Sequence, residues 1–424
     1  MRLICGPDTF DKLPAEDGTL RVVLYGQPTG EGQGSAGAAA KSDFLHRRLE
    51  AAPRAWDLLS IALSVMSADC AGLRDKSPDG WTRDFELDIA VAEPEFWTTQ
   101  ATDLARMLAF LTTDRWMLRF HPGGLVPPPP RAPIRPPDDS VVLLSGGLDS
   151  LVGAIDLATA GRKPFAISQI VRGDAKKQEE FAERIGGGLN HLQMNHNATA
   201  GGPEDTTQRA RSLIFLTFGV LTGTALDRYK DEEVPLYVCE NGFIALNPPL
   251  TGGRLGSLST RTAHPEVLAR FQGILDAAAL RVRIVNPYGA KTKGEMLREC
   301  TNQPLLRELA VRSTSCGRFQ RYNYKHCGRC VPCQVRRAAF LTWGENDKTE
   351  YVFTKLGKKD ENHARFDDVR AVALALATVD SDGFDAWLGG SLSSPMIGDA
   401  AALKAMVARA LEELRALHLA YGVK

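Results

Sequence analysis

The chain has 424 residues, 44% of them hydrophobic, with 51 Lys plus Arg against 51 Asp plus Glu. That length suits two or three domains around a sizeable core. Balanced charge excludes generic electrostatic binding to nucleic acid or to an anionic membrane, leaving only local patches.

The opening run Met1–Gly6 is too short for a signal peptide. The longest uncharged apolar stretch, Ser212–Leu226, is shorter than a membrane span and carries Thr and Gly, so it reads as a buried helix. A cytoplasmic location without a membrane anchor is the expectation. Leu20–Tyr25 reads as a strand, Gly30–Ala40 as a loop rich in Gly and Ala, and Phe44–Met66 as a helix. Phe85, Leu87, Ile89 and Val91 alternate with Glu86, Asp88 and Ala90, the pattern of a strand with one wet face. Trp97–Leu111 is helical. Residues 1–123 are therefore expected to form an α+β domain, without a catalytic motif, that serves docking or recognition. Val126–Pro137 holds seven prolines in twelve residues. Such a run enters neither a helix nor a central strand, so 124–139 reads as an extended, semi-rigid linker.

Beyond the linker, strand and helix patterns alternate. Val141–Leu144, Pro164–Ile170, Leu189–Met194, Pro235–Cys239 and Val282–Val285 are strand-like, whereas Ser150–Ala160, Lys176–Ile185, Thr206–Tyr229 and Pro265–Ala279 are helical. This alternation predicts an α/β domain over 140–345, a doubly wound parallel sheet covered on both faces. The remainder, 346–424, is a helical extension that ends in an amphipathic helix over Asp399–Tyr421.

The first strand of that domain runs into Ser145-Gly146-Gly147-Leu148-Asp149-Ser150, and a helix follows. Glycines let backbone N–H groups approach a phosphate, and the helix N-terminus adds partial positive charge. Ser145 and Ser150 offer hydroxyl donors, and Asp149 can orient a Mg²⁺ that neutralises phosphates. The Lys-Ser/Thr ending of a Walker loop and the spacing of a dinucleotide fingerprint are both missing.

Four of the eight cysteines crowd together as C-x10-C-x2-C-x2-C: Cys316, Cys327, Cys330 and Cys333. Short C-x2-C loops place two thiolates on one ion, and four thiolates make a closed, structural zinc site. The triplet Cys327, Cys330, Cys333 also suits a cubane iron–sulfur cluster, which stays open as the rival. Arg318, Arg321, Lys325, Arg329, Arg336 and Arg337 stand ready to offset negative charge.

The loop is similar to the S-G-G-x-D-S signature of the PP-loop ATP pyrophosphatases, which share an adenine-nucleotide α-hydrolase fold. Loop and cysteine cluster together resemble QueC, the 7-cyano-7-deazaguanine synthase family, over about Ser140 to Trp343. Arg211–Leu216, then Asn286-Pro287-Tyr288 with Lys291, Lys293 and Glu295, and Ser315-Cys316 through Phe340 resemble further segments of that family. The resemblance implies ATP bound by Ser145–Ser150, Mg²⁺, and Zn²⁺ on the four cysteines. It also implies adenylation of the carboxylate of 7-carboxy-7-deazaguanine. The N-terminal domain and proline linker, foreign to the short synthases, resemble the QatC-type QueC-like proteins of bacterial anti-phage systems. That likeness implies transfer of the activated acid to an amine on a partner protein.

Single residues carry two readings each. Arg209 and Arg211 could clamp phosphates or a carboxylate, or lie in solvent at a helix start. Lys291 and Lys293 sit in a Gly-flanked loop and could stabilise pyrophosphate. His264 before Pro265 suits a cap, His191 and His196 structural roles, and Cys239 a buried thiol. Asp149, Lys291, Lys293 and Arg211 are thus the catalytic candidates. A tRNA-modifying enzyme on the same fold and a nucleotide-sensing scaffold are the competing classes. Neutral charge and the lack of a C-x-x-C pair near Ser145 stand against the first, and the intact loop against the second.

Overall fold

The computed structural model describes residues 1–423 apart from 11, 12, 15, 206–208, 251–260 and 357–366. The stretch Glu240 to Pro265, which departs from the family that the chain resembles, includes Arg254, and Arg254 lies outside the described residues. In chain order the elements are β1 (Arg2–Gly6), β2 (Leu20–Leu24), β3 (Gly34–Ala36), α1 (Ala38–His46), α2 (Pro53–Ala71), β4 (Asp84–Val91), α3 (Pro94–Thr112) and β5 (Arg115–Pro122). After the proline run come β6 (Ser140–Leu143), α4 (Leu148–Thr159), β7 (Pro164–Gln169), α5 (Ala175–Arg184), β8 (His191–Met194), α6 (Arg211–Gly223), β9 (Val234–Tyr237), α7 (Gly242–Leu246), α8 (Pro265–Ala277) and β10 (Val282–Val285). The chain closes with α9 (Lys293–Glu299), α10 (Gln303–Leu309), α11 (Val331–Trp343), α12 (Asp367–Asp382), α13 (Phe384–Leu388) and α14 (Ala400–Ala420). Among the described residues no helix is long and apolar enough to cross a membrane.

The described strands form two five-stranded sheets, ordered β3-β2-β1-β4-β5 and β10-β9-β6-β7-β8, and every pairing is parallel. Counted from its own first strand, each sheet has the order 3-2-1-4-5. The second is doubly wound, as the alternation predicts. Val142 and Ala166 face a core with α4, and Val141, Leu143, Phe165 and Ile167 face another with α6.

The first sheet corrects the expectation of an α+β unit: it is α/β and parallel. The alternation over Phe85–Val91 pointed to one wet face, usual in antiparallel sheets. That expectation fails as well: the β1–β2 and β2–β3 connections carry no described helix, yet Asp88 and Ala90 are buried, and Ala90 and Ile4 pack with Phe10 of the β1–β2 connection. All the crossover helices lie on the other side, against Leu3, Cys5, Leu87 and Ile89. On this helix-free face the buried Asp88 is met by His121 at 2.8 Å, Arg2 at 2.9 Å and Arg119 at 3.8 Å.

Other differences have local causes. The single helix expected over Phe44–Met66 is two, α1 and α2, because Arg48 takes a left-handed φ of 55° and Pro53 opens the second helix. Within the expected Gly30–Ala40 loop lie β3 and the start of α1; β3 has no large side chain to announce it. Of the long helix expected over Thr206–Tyr229, α6 covers Arg211–Gly223, and 206–208 lie outside the described residues.

The helix α2 packs on the first sheet with one side and on α6 with the other, so one hydrophobic core contains residues from both sheets. The proline segment runs along this assembly. Ile134 N–H donates to Arg48 O at 2.8 Å, and Pro136 O accepts from Asp227 N–H at 2.9 Å. A third core joins α7 and α11 to the C-terminal helices α12–α14.

Candidate active site

The loop Ser145–Ser150 sits where β6, the central strand of the second sheet, ends. At that carboxyl edge, beside the point where strand order reverses, open α/β sheets bind ligands. Gly146 has φ +82°, a conformation L side chains rarely adopt. The two serines shape the turn: Ser145 and Ser150 hydroxyls lie 3.0 Å apart, Ser150 Oγ accepts from Ser145 N–H at 3.2 Å, and Gly147 N–H donates to Ser145 Oγ at 3.2 Å. Gly147 is the N-cap of α4 and provides no side-chain cap for that helix.

Asp149 is buried at the base of this loop. Its carboxylate meets Lys293 Nζ, accepts from Asn241 Nδ2 at 2.7 Å, and accepts from Asn241 N–H at 3.2 Å. Burial works against its charge, yet Lys293, Glu240 and Asn241 outweigh burial and hold it below the ordinary carboxylate range. Burial and the Asp149 charge push Glu240 well above its ordinary range. The two shifts run in opposite directions, favouring the charged form of Asp149 and the protonated form of Glu240. Lys291, by contrast, sits at the surface and pairs with Glu299 at 2.9 Å.

Beside the loop lies a cavity of about 880 Å³. Its wall includes Asp174, Arg209, Arg211, Thr314, Arg318 and Phe319. Burial lowers Arg211 from its ordinary value, and Asp174 partly opposes this. Arg209 is committed to the first sheet's unit: it donates to Thr112 O at 3.3 Å and Thr113 Oγ1 at 3.4 Å, and stacks over Trp81. The segment leading to these arginines is strapped to the same unit. Asp205 N–H donates to Cys70 O at 2.8 Å, Asp205 accepts from Arg74 N–H at 3.0 Å, and Ala210 N–H donates to Asp69 at 2.7 Å. Asp69 in turn pairs with Arg83 at 2.5 Å.

The four cysteines converge, all buried, with their sulfurs within 4.8 Å of one another. Two sulfur pairs, Cys316–Cys330 and Cys327–Cys333, lie 3.9 Å apart. A tetrahedral ion with ~2.3 Å zinc–sulfur bonds needs an edge of roughly 3.8 Å, so this donor set could hold zinc. Backbone N–H groups of Arg318 and Cys327 point at Cys316 Sγ, and those of Arg329 and Cys330 at Cys327 Sγ, which favours thiolates. Gly328 has φ +86°, and a Cβ there would lie 2.3 Å from Phe353 O. Arg336 and Arg337 were expected to offset charge. Both are fixed beside the cluster by hydrogen bonds, Arg336 to Ala310 O, Ser313, Ser315 and Thr349, and Arg337 to Gly328 O and Thr354 O.

Residues outside the expected set complete the site. Glu240 and Asn241 follow β9, next to β6 in the sheet, and Asn241 caps α7; a polar pair just past a strand end was the available signal. Thr314, Asp174 and Lys177 form a second chain, with Thr314 Oγ1 donating to Asp174 at 2.6 Å and Lys177 to Thr314 at 2.5 Å. His264 caps α8 as read, accepting from Glu266 N–H at 3.2 Å. His191 bonds Ser168 at 2.8 Å and His196 accepts from Ala198 N–H at 3.0 Å, both structural contacts. Cys239 is buried against Gly153 of α4.

No family model matches the chain, and no solved structure matches it. Three curated relatives do. The chain is 34% identical over 92 residues to the 7-cyano-7-deazaguanine synthase of Methanocaldococcus jannaschii, covering 20% of this chain and 39% of the relative. It is 35% identical over 91 residues to that of Methanococcus maripaludis, covering 21% and 39%. It is 31% identical over 90 residues to that of Methanococcus aeolicus, covering 20% and 38%. The matches thus span about two fifths of each relative's own length, and over that stretch the chain is similar to 7-cyano-7-deazaguanine synthases, the family that its loop and cysteine motifs resemble.

Proposed function

We propose that this protein is an ATP-dependent ligase that adenylates a carboxylate, 7-carboxy-7-deazaguanine, and then transfers the acyl group to an amine. The observation that carries the reading is the glycine loop capping α4 with Asp149 and Lys293 paired beneath it, next to an arginine-lined cavity. A carboxylate is a poor electrophile at neutral pH, and an AMP ester makes it a good one.

In this mechanism the loop N–H groups hold the ATP phosphates. Lys293 leaves Asp149 to meet the charge that develops on departing pyrophosphate. Arg211 holds the substrate carboxylate in the cavity. A carboxylate oxygen attacks the α-phosphorus and the bond to the β-phosphate oxygen breaks, giving acyl-AMP and pyrophosphate. The amine then attacks the acyl carbon and AMP leaves. Mg²⁺, which Asp149 would hold, supplies neutralising charge on the phosphates. Zinc at the four cysteines is structural.

The amine belongs to a partner protein of a bacterial anti-phage system in this proposal; the support is the extra N-terminal unit and its proline segment. The relatives' printed name favours a second reading, in which ammonia displaces AMP to give an amide, and a second ATP adenylates the amide oxygen, which leaves with AMP to give the nitrile. Pyrophosphate release from ATP with 7-carboxy-7-deazaguanine tests the first step. Release is expected in the wild type and lost in Asp149→Asn. Absence of release with every partner present contradicts the reading. Mass spectrometry of the product separates protein adduct from free nitrile.

A further inference from the structure

The loop that delivers Lys293 to Asp149 is short, and α9, which it opens, has seven residues. A helix of that length is not stable by itself in water. Locally it is held by a capping box: Thr292 Oγ1 accepts from Glu295 N–H at 3.0 Å, and Thr292 N–H donates to Glu295 Oε2 at 2.8 Å. The rest of its support comes from the far end of the chain.

On α14, Met406, Arg409 and Glu413 lie on one face, three and four residues apart. Arg409 Nε donates to Glu295 Oε1 at 2.5 Å, and Arg409 Nη2 to Ala290 O at 3.0 Å. Glu413 accepts from the Thr292 hydroxyl and from Gly294 N–H. A Cβ on residue 294 would come within 2.5 Å of Glu413 Oε1 and 2.7 Å of Thr342 Cβ. The loop backbone is thus pressed between α14 and α11. Met406 makes the same close approach to Gly242, whose neighbour Asn241 bonds Asp149. Gly242 N–H also donates to Lys291 O at 2.9 Å, so the two loops are joined beneath the helix.

We propose that the Met406–Arg409–Glu413 face of α14 positions Lys293 for the reaction by clamping residues 289–295 against the Asp149 loop. Arg409 and Glu413 are positioning residues: neither touches substrate, and both act through Thr292, Gly294 and Glu295. The inference rests on the adenylation reading for the role of Lys293, but the clamp itself does not.

The clamp carries a pH signature. Burial pushes Glu413 up to about 7, with Glu295 of α9 adding and Thr292, Gly294 and Arg298 of the same loop and helix opposing. Arg409 on its own helix is engaged by Glu295. Ionised Glu413 accepts from Thr292 and Gly294 more strongly than the protonated acid does. Loosening is therefore expected as pH falls through about 7.

The test uses the full chain with Arg409→Ala, Glu413→Gln, Glu413→Ala and, as a control on another face of α14, Arg415→Ala. Arg415 pairs with Asp380 at 2.8 Å, away from the loop. Turnover for pyrophosphate release is expected to fall about tenfold or more in Arg409→Ala and Glu413→Ala, as loss of alignment does, with the KM for ATP within about twofold. Glu413→Gln is expected to lose the limb of the pH–turnover profile near neutrality. Arg415→Ala behaves as wild type. Amide hydrogen exchange over 289–295, expected to speed up in Arg409→Ala and Glu413→Ala only, reads the clamp without the reaction. Wild-type turnover, pH profile and exchange in these variants overturn the inference. A wild type that releases no pyrophosphate while exchange responds as expected overturns the adenylation reading and leaves the clamp.

Discussion

Thr314, two residues before the first cysteine of the four-cysteine cluster, donates its backbone N–H to Gly146 O at 2.9 Å. That bond ties the segment before the cysteine cluster to the Ser145–Ser150 loop. The strand-like pairing of Gly147 with Thr314 extends it, and Arg336 fixes the approach by bonding Ser313 and Ser315. The four-cysteine cluster closes a ten-residue segment at one end and a helix start at the other, and on this account an ion there would hold Thr314 in place.

Metal removal is therefore expected to weaken nucleotide binding as well as the fold. Elemental analysis should find one zinc per chain, and stoichiometric iron would restore the cluster alternative. Cys330→Ser or strong chelation should lower the melting temperature sharply, since structural zinc supplies on the order of 10 kcal/mol. ATP affinity, measured by calorimetry on whatever protein stays folded, should fall with it. Undiminished affinity in metal-free protein would break the proposed link.

Glu240 gives a pH test with a definite sign. The unfolded side chain ionises near 4.5, whereas the folded one is raised well above that. Between those values the native protein holds a proton that the unfolded chain has released. Stability contributed at this site therefore falls as pH rises from about 4.5 through the folded value. Glu240→Gln, which keeps an uncharged donor beside Asp149, should lose less stability than wild type as pH rises above about 4.5. Equal slopes would mean that Glu240 is ionised in the native state.

The fold was legible where chemistry is local. β6, the loop, α4 and the four cysteines are each contiguous or closely spaced, so residue types alone declare them. The first sheet was less so: β1 and β3 are short and have no alternation of their own, whereas β5 does alternate, with Trp116, Leu118 and Phe120 buried between Arg115, Met117 and Arg119, a strand signal absent from the expected elements. Likewise Glu240 and Asn241 meet Asp149 only because β9 lies next to β6, and Glu413 meets Thr292 across more than a hundred residues of chain. Lys293 and Lys291 are two residues apart and look alike in sequence. Only the start of α9 at Lys293 sends one inward and the other to Glu299.

Gly153 in α4 is expected to be intolerant of a methyl group. An added Cβ would lie 2.2 Å from Cys239 Sγ and 2.5 Å from Cys239 Cβ. Gly153→Ala should cost about 1–3 kcal/mol by overpacking, read from denaturant unfolding. Cys239→Ala in the same chain should recover part of the loss and not all, because the Cβ contact stays. Full independence of the two substitutions would contradict the packing described.

Asp69 links the first sheet's unit to the cavity. It pairs with Arg83 inside the unit and accepts from Ala210 N–H just before Arg211. Asp69→Ala leaves Arg83 buried beside fewer partners and should destabilise by about 3–5 kcal/mol. In protein that remains folded, the KM for the carboxylate substrate should rise more than the KM for ATP. An equal rise in both would place the effect outside the cavity wall.

The central claim is that the amides of the Ser145–Ser150 loop grip a nucleotide triphosphate. A crystal structure with a non-hydrolysable ATP analogue and Mg²⁺ addresses it directly. The account predicts phosphate density over Gly146, Gly147 and Leu148, with Lys293 turned from Asp149 toward the phosphates. A nucleotide bound elsewhere, or a loop left empty with Lys293 still on Asp149, would contradict it.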